Sequence, residues 1–122
     1  MLKINLPEME HDWLDLWKPI KTLIYYDGPL LYTCSSSIGN NYLVFWCEVD
    51  KTDIRYLVTP CSDDKLEKIL SNKMDLRTAN TDKDCWIFDA SSEDVKCWKI
   101  EDMTILNQYL PEPGVFLGES DL

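Results

Sequence analysis

Five cysteines, one histidine and a surplus of carboxylates are the residues of this 122-residue chain that could do chemistry. The cysteines stand at positions 34, 47, 61, 85 and 97, and no CxxC pair occurs. A zinc site needs about four Cys or His ligands in closely spaced pairs. Cysteine spacings of 12 to 24 residues and a lone His11 do not supply one. The odd count and the apolar run around each cysteine predict buried free thiols in a reducing compartment. A Cys-His nucleophile would have to recruit His11, which no spacing pairs with a cysteine, so His11 reads as a surface or capping residue. The glycines, at 28, 39, 114 and 118, are scattered singly and form no phosphate loop, dinucleotide fingerprint or GxSxG elbow. No metal and no cofactor is expected.

The carboxylates leave more room. Asp63-Asp64 and Glu93-Asp94 are the adjacent pairs nearest to an acid/base or cation-binding arrangement. The first pair also suits the start of a helix after Ser62, and the second suits a solvated turn. Asp27, before Gly28-Pro29, bonds its own backbone in a turn more readily than it catalyses. Arg77, one of two arginines, sits between apolar residues. It reads either as half of a fixed ion pair or as a recognition residue. Trp13, Trp17 and Trp98 complete the surface candidates, because tryptophan and arginine dominate protein-binding hot spots.

These residues need elements to hold them. Met9, Trp13 and Leu16 or Trp17 recur at helical spacing and predict a short N-terminal helix ended by Pro19. A β-rich run from Ile20 to Tyr26 and another from Leu30 to Cys34 flank the Asp27-Gly28-Pro29 turn. Tyr42 to Val49 is the strongest strand, apolar enough to be covered on both faces, and Ile54 to Thr59 returns as its antiparallel partner. Ser62 caps a helix over 63–70, which Asn72 closes in the left-handed conformation. Met74 to Ala79 reads as a short extended segment. Cys85–Asp89 and Val95–Ile100 form a hairpin, the second strand without a clean polar face and so suited to an edge. Residues 101–110 give no clear signal.

The expected architecture is a single α+β domain. A mainly antiparallel sheet of five to six strands carries a short N-terminal helix and one helix after the fourth strand. Residues 1–19 are a helical extension packed on the domain, 20–117 the domain itself and 118–122 an acidic tail.

Tyr25-Tyr26-Asp27-Gly28-Pro29-Leu30-Leu31, a strand with Tyr42-Leu43 and Trp46, then Tyr56-Leu57-Val58 before the Ser-capped helix, Asp75-Leu76-Arg77, and finally Leu110-Pro111 with Pro113-Gly114 follow one another in a specific order. In that order they resemble a family of short bacterial domains of unknown function, marked by a YDGPLL turn, a YL..W strand and an LR.A segment. The similarity covers residues 20 to 117. It implies a small bacterial or phage-borne α+β domain and carries no reaction or catalytic residue with it.

Charge narrows the function classes. The net charge is −10, and the first 61 residues hold eight acidic and five basic side chains against fourteen and seven in the rest. Direct binding to nucleic acid or to an anionic membrane selects for basic patches instead. No basic-then-apolar leader and no apolar run of about 20 residues occurs, so the chain is expected in the cytoplasm. Three functions remain, in this order. The first is a non-enzymatic protein-binding module, of accessory or immunity type, with Trp13, Trp17, Arg77, Glu93, Asp94 and Trp98 as its contact residues. Its partner is another protein, one with a basic surface fitting best, and a homodimer is compatible with it. The second is an acidic inhibitor that imitates nucleic acid in a defence nuclease. The third is a carboxylate-based enzyme.

Overall fold

The structure, a computed structural model, describes residues 3–5, 13–15, 19–25, 29–37, 39–49, 54–90 and 95–119. Among these residues, eight strands and three α-helices follow one another in this order: β1 (Lys3–Asn5), β2 (Trp13–Asp15), β3 (Lys21–Tyr25), β4 (Pro29–Ser35), β5 (Asn41–Val49), β6 (Ile54–Pro60), α1 (Asp63–Leu70), α2 (Leu76–Ala79), β7 (Cys85–Ala90), β8 (Val95–Ile100) and α3 (Met103–Asn107), with a final 3-10 turn at Leu117–Glu119. Strands β3 to β8 form one antiparallel meander in sequence order, so every strand pairs with its neighbour in the chain. β1 and β2 pair separately, Ile4 opposite Leu14, and β2 runs beside β4.

The expected N-terminal helix is therefore wrong: Trp13 to Asp15 are strand. A helix of two turns is marginal by itself, and tryptophan and aspartate are middling helix formers. Lys3 to Asn5 offer an extended partner instead, and pairing satisfies backbone groups of both segments at once. The expectation of one helix after the fourth strand also fails, because α2 and α3 are helical as well. Residues 76–79, expected extended, wind into a turn because Asp75 accepts from the Thr78 amide (2.8 Å) while Leu76 donates to Val115 O (2.7 Å). Asp102 starts α3 in the same way, accepting from the Thr104 amide at 2.8 Å. The Asp27-Gly28 turn lies outside the described residues, between two strands that do pair.

Both faces of the sheet are buried. On one, Leu31, Leu43, Leu57 and Ile87 from four adjacent strands meet Ile69, Leu76, Ala79 and Leu106 from the helices. On the other, Tyr32, Tyr42, Tyr56, Val44, Val58, Trp86 and Phe88 pack together. Removing such side chains from water contributes roughly 1.5–3 kcal/mol each. The same burial pushes the Tyr32 and Tyr56 hydroxyls above the ordinary phenol range. α1 ends as a Schellman turn, with Lys73 N donating to Lys68 O (2.9 Å) and Asn72 N to Ile69 O (3.3 Å). The turn needs a left-handed residue, and Asn72 takes that conformation at φ 59°.

Candidate functional site

At one end of the sheet the β4–β5 connection, the end of β6, the start of α1 and the outer strands enclose a cleft of about 570 Å³. Gly39, at φ +89°, turns the chain so that Ser36 N can reach Asn40 O at 2.8 Å. Cys61 N donates to Asn41 O (2.9 Å), which closes the other side. Below it, Lys65 Nζ donates to Pro60 O (2.9 Å) and Ala79 O (3.1 Å) and pairs with Asp82 at 3.5 Å. Lys65 thus ties β6 to α2 and is spoken for. Asn40, Asn41, Cys61, Asp63, Asp84 and Lys99 supply the polar wall. Lys99 is matched by Asp84 at 3.4 Å. Burial pushes the Cys61 thiol up, so it is held as the poorly nucleophilic thiol. Among the described residues no three His, Cys, Asp or Glu side chains come together to hold a metal ion.

Toward the other end, on the helix-covered face, the antiparallel register sets Arg55 of β6 opposite Asp89 of β7, and Asp89 opposite Lys96 of β8. Arg55 Nη2 donates to Asp89 Oδ2 at 2.7 Å, and Nη1 donates to the Tyr109 hydroxyl at 3.0 Å. The guanidinium carbon lies 5.5 Å from the centre of the Trp98 ring and 5.7 Å from that of Tyr109. Two rings and a carboxylate therefore hold one cation. The Asp89 hydrogen bond, ahead of the pull from Tyr109 and against partial burial, raises the affinity of Arg55 for its proton. Each cation–π contact adds about 0.5–1 kcal/mol where water still reaches it. Trp98 is fixed in place yet keeps 38% of its surface exposed, and Met103 (50%) and Ile105 (44%) of the adjoining α3 are exposed as well.

The other residues singled out from the sequence lie elsewhere. Arg77 of α2 donates to Pro111 O (2.9 Å) and Asn107 Oδ1 (3.2 Å). Both acceptors are carbonyl oxygens and not carboxylates. Its neighbour Asp75 accepts from Gly114 N at 2.9 Å. Together they clamp the C-terminal segment against α2. Hydrogen bonds from the Thr78 side chain first, then the amides of Gly114 and Thr78, keep the Asp75 carboxyl below the usual range. Trp13 is described in its backbone only, as part of β2. Trp17, Glu93 and Asp94 lie outside the described residues, as does His11. Trp98 joins a constellation whose other members, Arg55, Asp89 and Tyr109, are not among the residues singled out from the sequence. A cross-strand register was the only signal for Asp89, and nothing local marks Tyr109, 54 residues away from Arg55.

No curated protein and no solved structure matches this chain at a significant level. The model of one family does match, over residues 17–121, and so the chain belongs to DUF6575, a family of unknown function.

Proposed function

We propose that the chain is a non-enzymatic protein-binding module whose contact surface is the region of β8 and α3 around Trp98. The observation that carries this reading is the Trp98 ring, exposed yet held on Arg55 with Tyr109 behind it. Trp, Tyr and Arg are the residues on which binding energy concentrates. A side chain already fixed loses less freedom on binding than a mobile one. The buried thiol and the matched lysine of the cleft favour no reaction there. An accessory or immunity-type role inside a bacterial cell fits the acidic charge and the many Trp and Tyr side chains of the chain. A charge of −10 would steer a basic-surfaced protein toward it.

The test is retention of a partner from native host extract on the immobilised chain, with Trp98→Ala run in parallel. The reading expects at least one protein held by the parent and lost from the variant, while both melt within a few degrees of each other. Equal retention by a folded Trp98→Ala chain would overturn it.

A further inference from the structure

We propose that the occupant of this surface is a second copy of the chain, paired antiparallel along β8 with Trp98 at the twofold axis. Two six-stranded sheets would then join into one. The inference rests on the reading just given and names its partner.

The sheet has two edge strands, β3 and β8, each with no further strand on its outer side among the described residues. They are not equivalent. β3 pairs with β4 through two register shifts, between Thr22 and Ile24 and between Ile24 and Tyr25. Such irregularities bend an edge away from further pairing. β8 pairs with β7 through six consecutive residues, Val95 to Ile100, without a shift. Among the described residues no strand lies on its outer side.

Charge selects the register. Directly opposed residues share a face of the sheet, so a continuous double sheet must be centred on a residue and not between two. Centring on Lys96 or on Lys99 opposes two lysines directly, which is unfavourable. Centring on Cys97 sets the two Lys96 side chains on a diagonal, still within reach of each other. Centring on Trp98 avoids the direct opposition and separates the Lys96 side chains: Lys96 faces Ile100 of the second copy and lies diagonal to its Asp102. That carboxylate caps α3, two residues past the end of β8. Lys99 then meets Lys99 of the second copy only diagonally on the opposite face, and each already has Asp84 at 3.4 Å. The two Trp98 rings come side by side, each backed by its own Arg55. Cross-strand aromatic pairs of this kind are favourable. Met103 and Ile105 of α3, which packs beside β8, are exposed as well.

Net charge works against this pairing, since two chains of −10 repel. Added salt screens that repulsion, so self-association should tighten between low and moderate ionic strength. Binding to a basic protein would weaken over the same range, which separates the two kinds of partner.

The experiment is sedimentation equilibrium of the whole chain with a thiol reductant present, over about 5 to 500 μM, the range for a small interface. The expected result is a monomer–dimer equilibrium, at least tenfold weaker in Trp98→Ala and weakened also in Lys96→Glu, which places like charges on the Asp102 diagonal. Tyr25→Ala, on the exposed end of β3, should leave it unchanged. Circular dichroism checks that each variant is folded, and Lys96→Glu carries the test if Trp98→Ala is not. A monomer at every concentration and salt overturns the pairing, as does a dimer sensitive to Tyr25→Ala and indifferent to the β8 changes. If the chain is monomeric while Trp98→Ala still abolishes partner retention from extract, this inference fails and the protein-binding reading stands.

Discussion

The α2 clamp and the β8 surface use similar residue types to opposite ends. At α2, the charged pair Asp75 and Arg77 turns inward on the chain, taking Gly114, Pro111 and Asn107 as partners. At β8, Arg55 and Asp89 neutralise each other so that an aromatic ring can be held facing outward. The first arrangement consumes its hydrogen-bonding capacity internally. The second leaves Trp98, Met103 and Ile105 in contact with water, where they contribute little to folding. Charged residues within a distinctive motif can thus serve the fold alone, while the surface suited to a partner is built from residues that no motif marks.

Mutation should separate the two regions. The largest loss of stability is expected at the clamp: Arg77→Ala removes two charge-assisted hydrogen bonds and should cost about 2 kcal/mol, read as a lower urea midpoint, with dimer affinity of the folded protein unchanged. Asp75→Ala should cost about 1 kcal/mol through the lost cap. Since the Asp75 carboxyl is held below its unfolded value, its contribution is present at neutral pH and is lost as pH falls below about 4. Acid titration of the parent against Asp75→Ala would show that difference disappearing. Gly118→Ala should cost about 1 kcal/mol, because a Cβ there would collide with the side-chain amide of Asn72, whose Oδ1 accepts from Gly118 N.

Trp98→Ala sharpens the contrast from the other side. It should lower unfolding free energy by about 1 kcal/mol through the lost contact with Arg55 while weakening self-association at least tenfold. A large destabilisation with association intact would merge the two regions into one structural role. Two thiols give a third probe. Burial pushes Cys97 up to about 12 and Cys85 up to about 11. Groups whose folded values are raised stabilise below the unfolded thiol value and lose that contribution as pH rises past about 8.5. Unfolding midpoints should therefore fall in that range, and iodoacetamide should label the folded chain far more slowly than the unfolded one. The smallest effect is expected at Thr59, fully buried with an Oγ1 that finds no hydrogen-bond partner among the described residues. Thr59→Val should leave stability unchanged or raise it by up to about 1 kcal/mol.

What could be read from the sequence was local. Ser62, Asn72 and the stripe of Leu66, Ile69 and Leu70 carry the whole signal for α1 within eleven residues, because caps and periodicity are short-range effects. The near-continuous apolarity of 42–49 marks a strand inside the sheet, and β5 has neighbours on both sides. The mixed alternation of 95–100 marks an edge, where β8 lies. The failures were long-range. α2 is a four-residue helix held by a segment 39 residues further on, which propensity cannot see. The Trp13 region carried a helical period of only two turns and gave way to a partner strand ten residues earlier. At the site, Trp98 was visible as an aromatic in a strand. Its placement over Arg55 depended on the register of three strands and on the return of Tyr109.

Hydrogen–deuterium exchange along β8 tests the central claim most directly. The account predicts that amides within 95–100 gain protection as concentration rises from about 5 to 500 μM, while those of 76–79 do not change, and that Trp98→Ala abolishes the gain. Amides of β8 that exchange equally fast at both concentrations, with and without a retained partner, would contradict it.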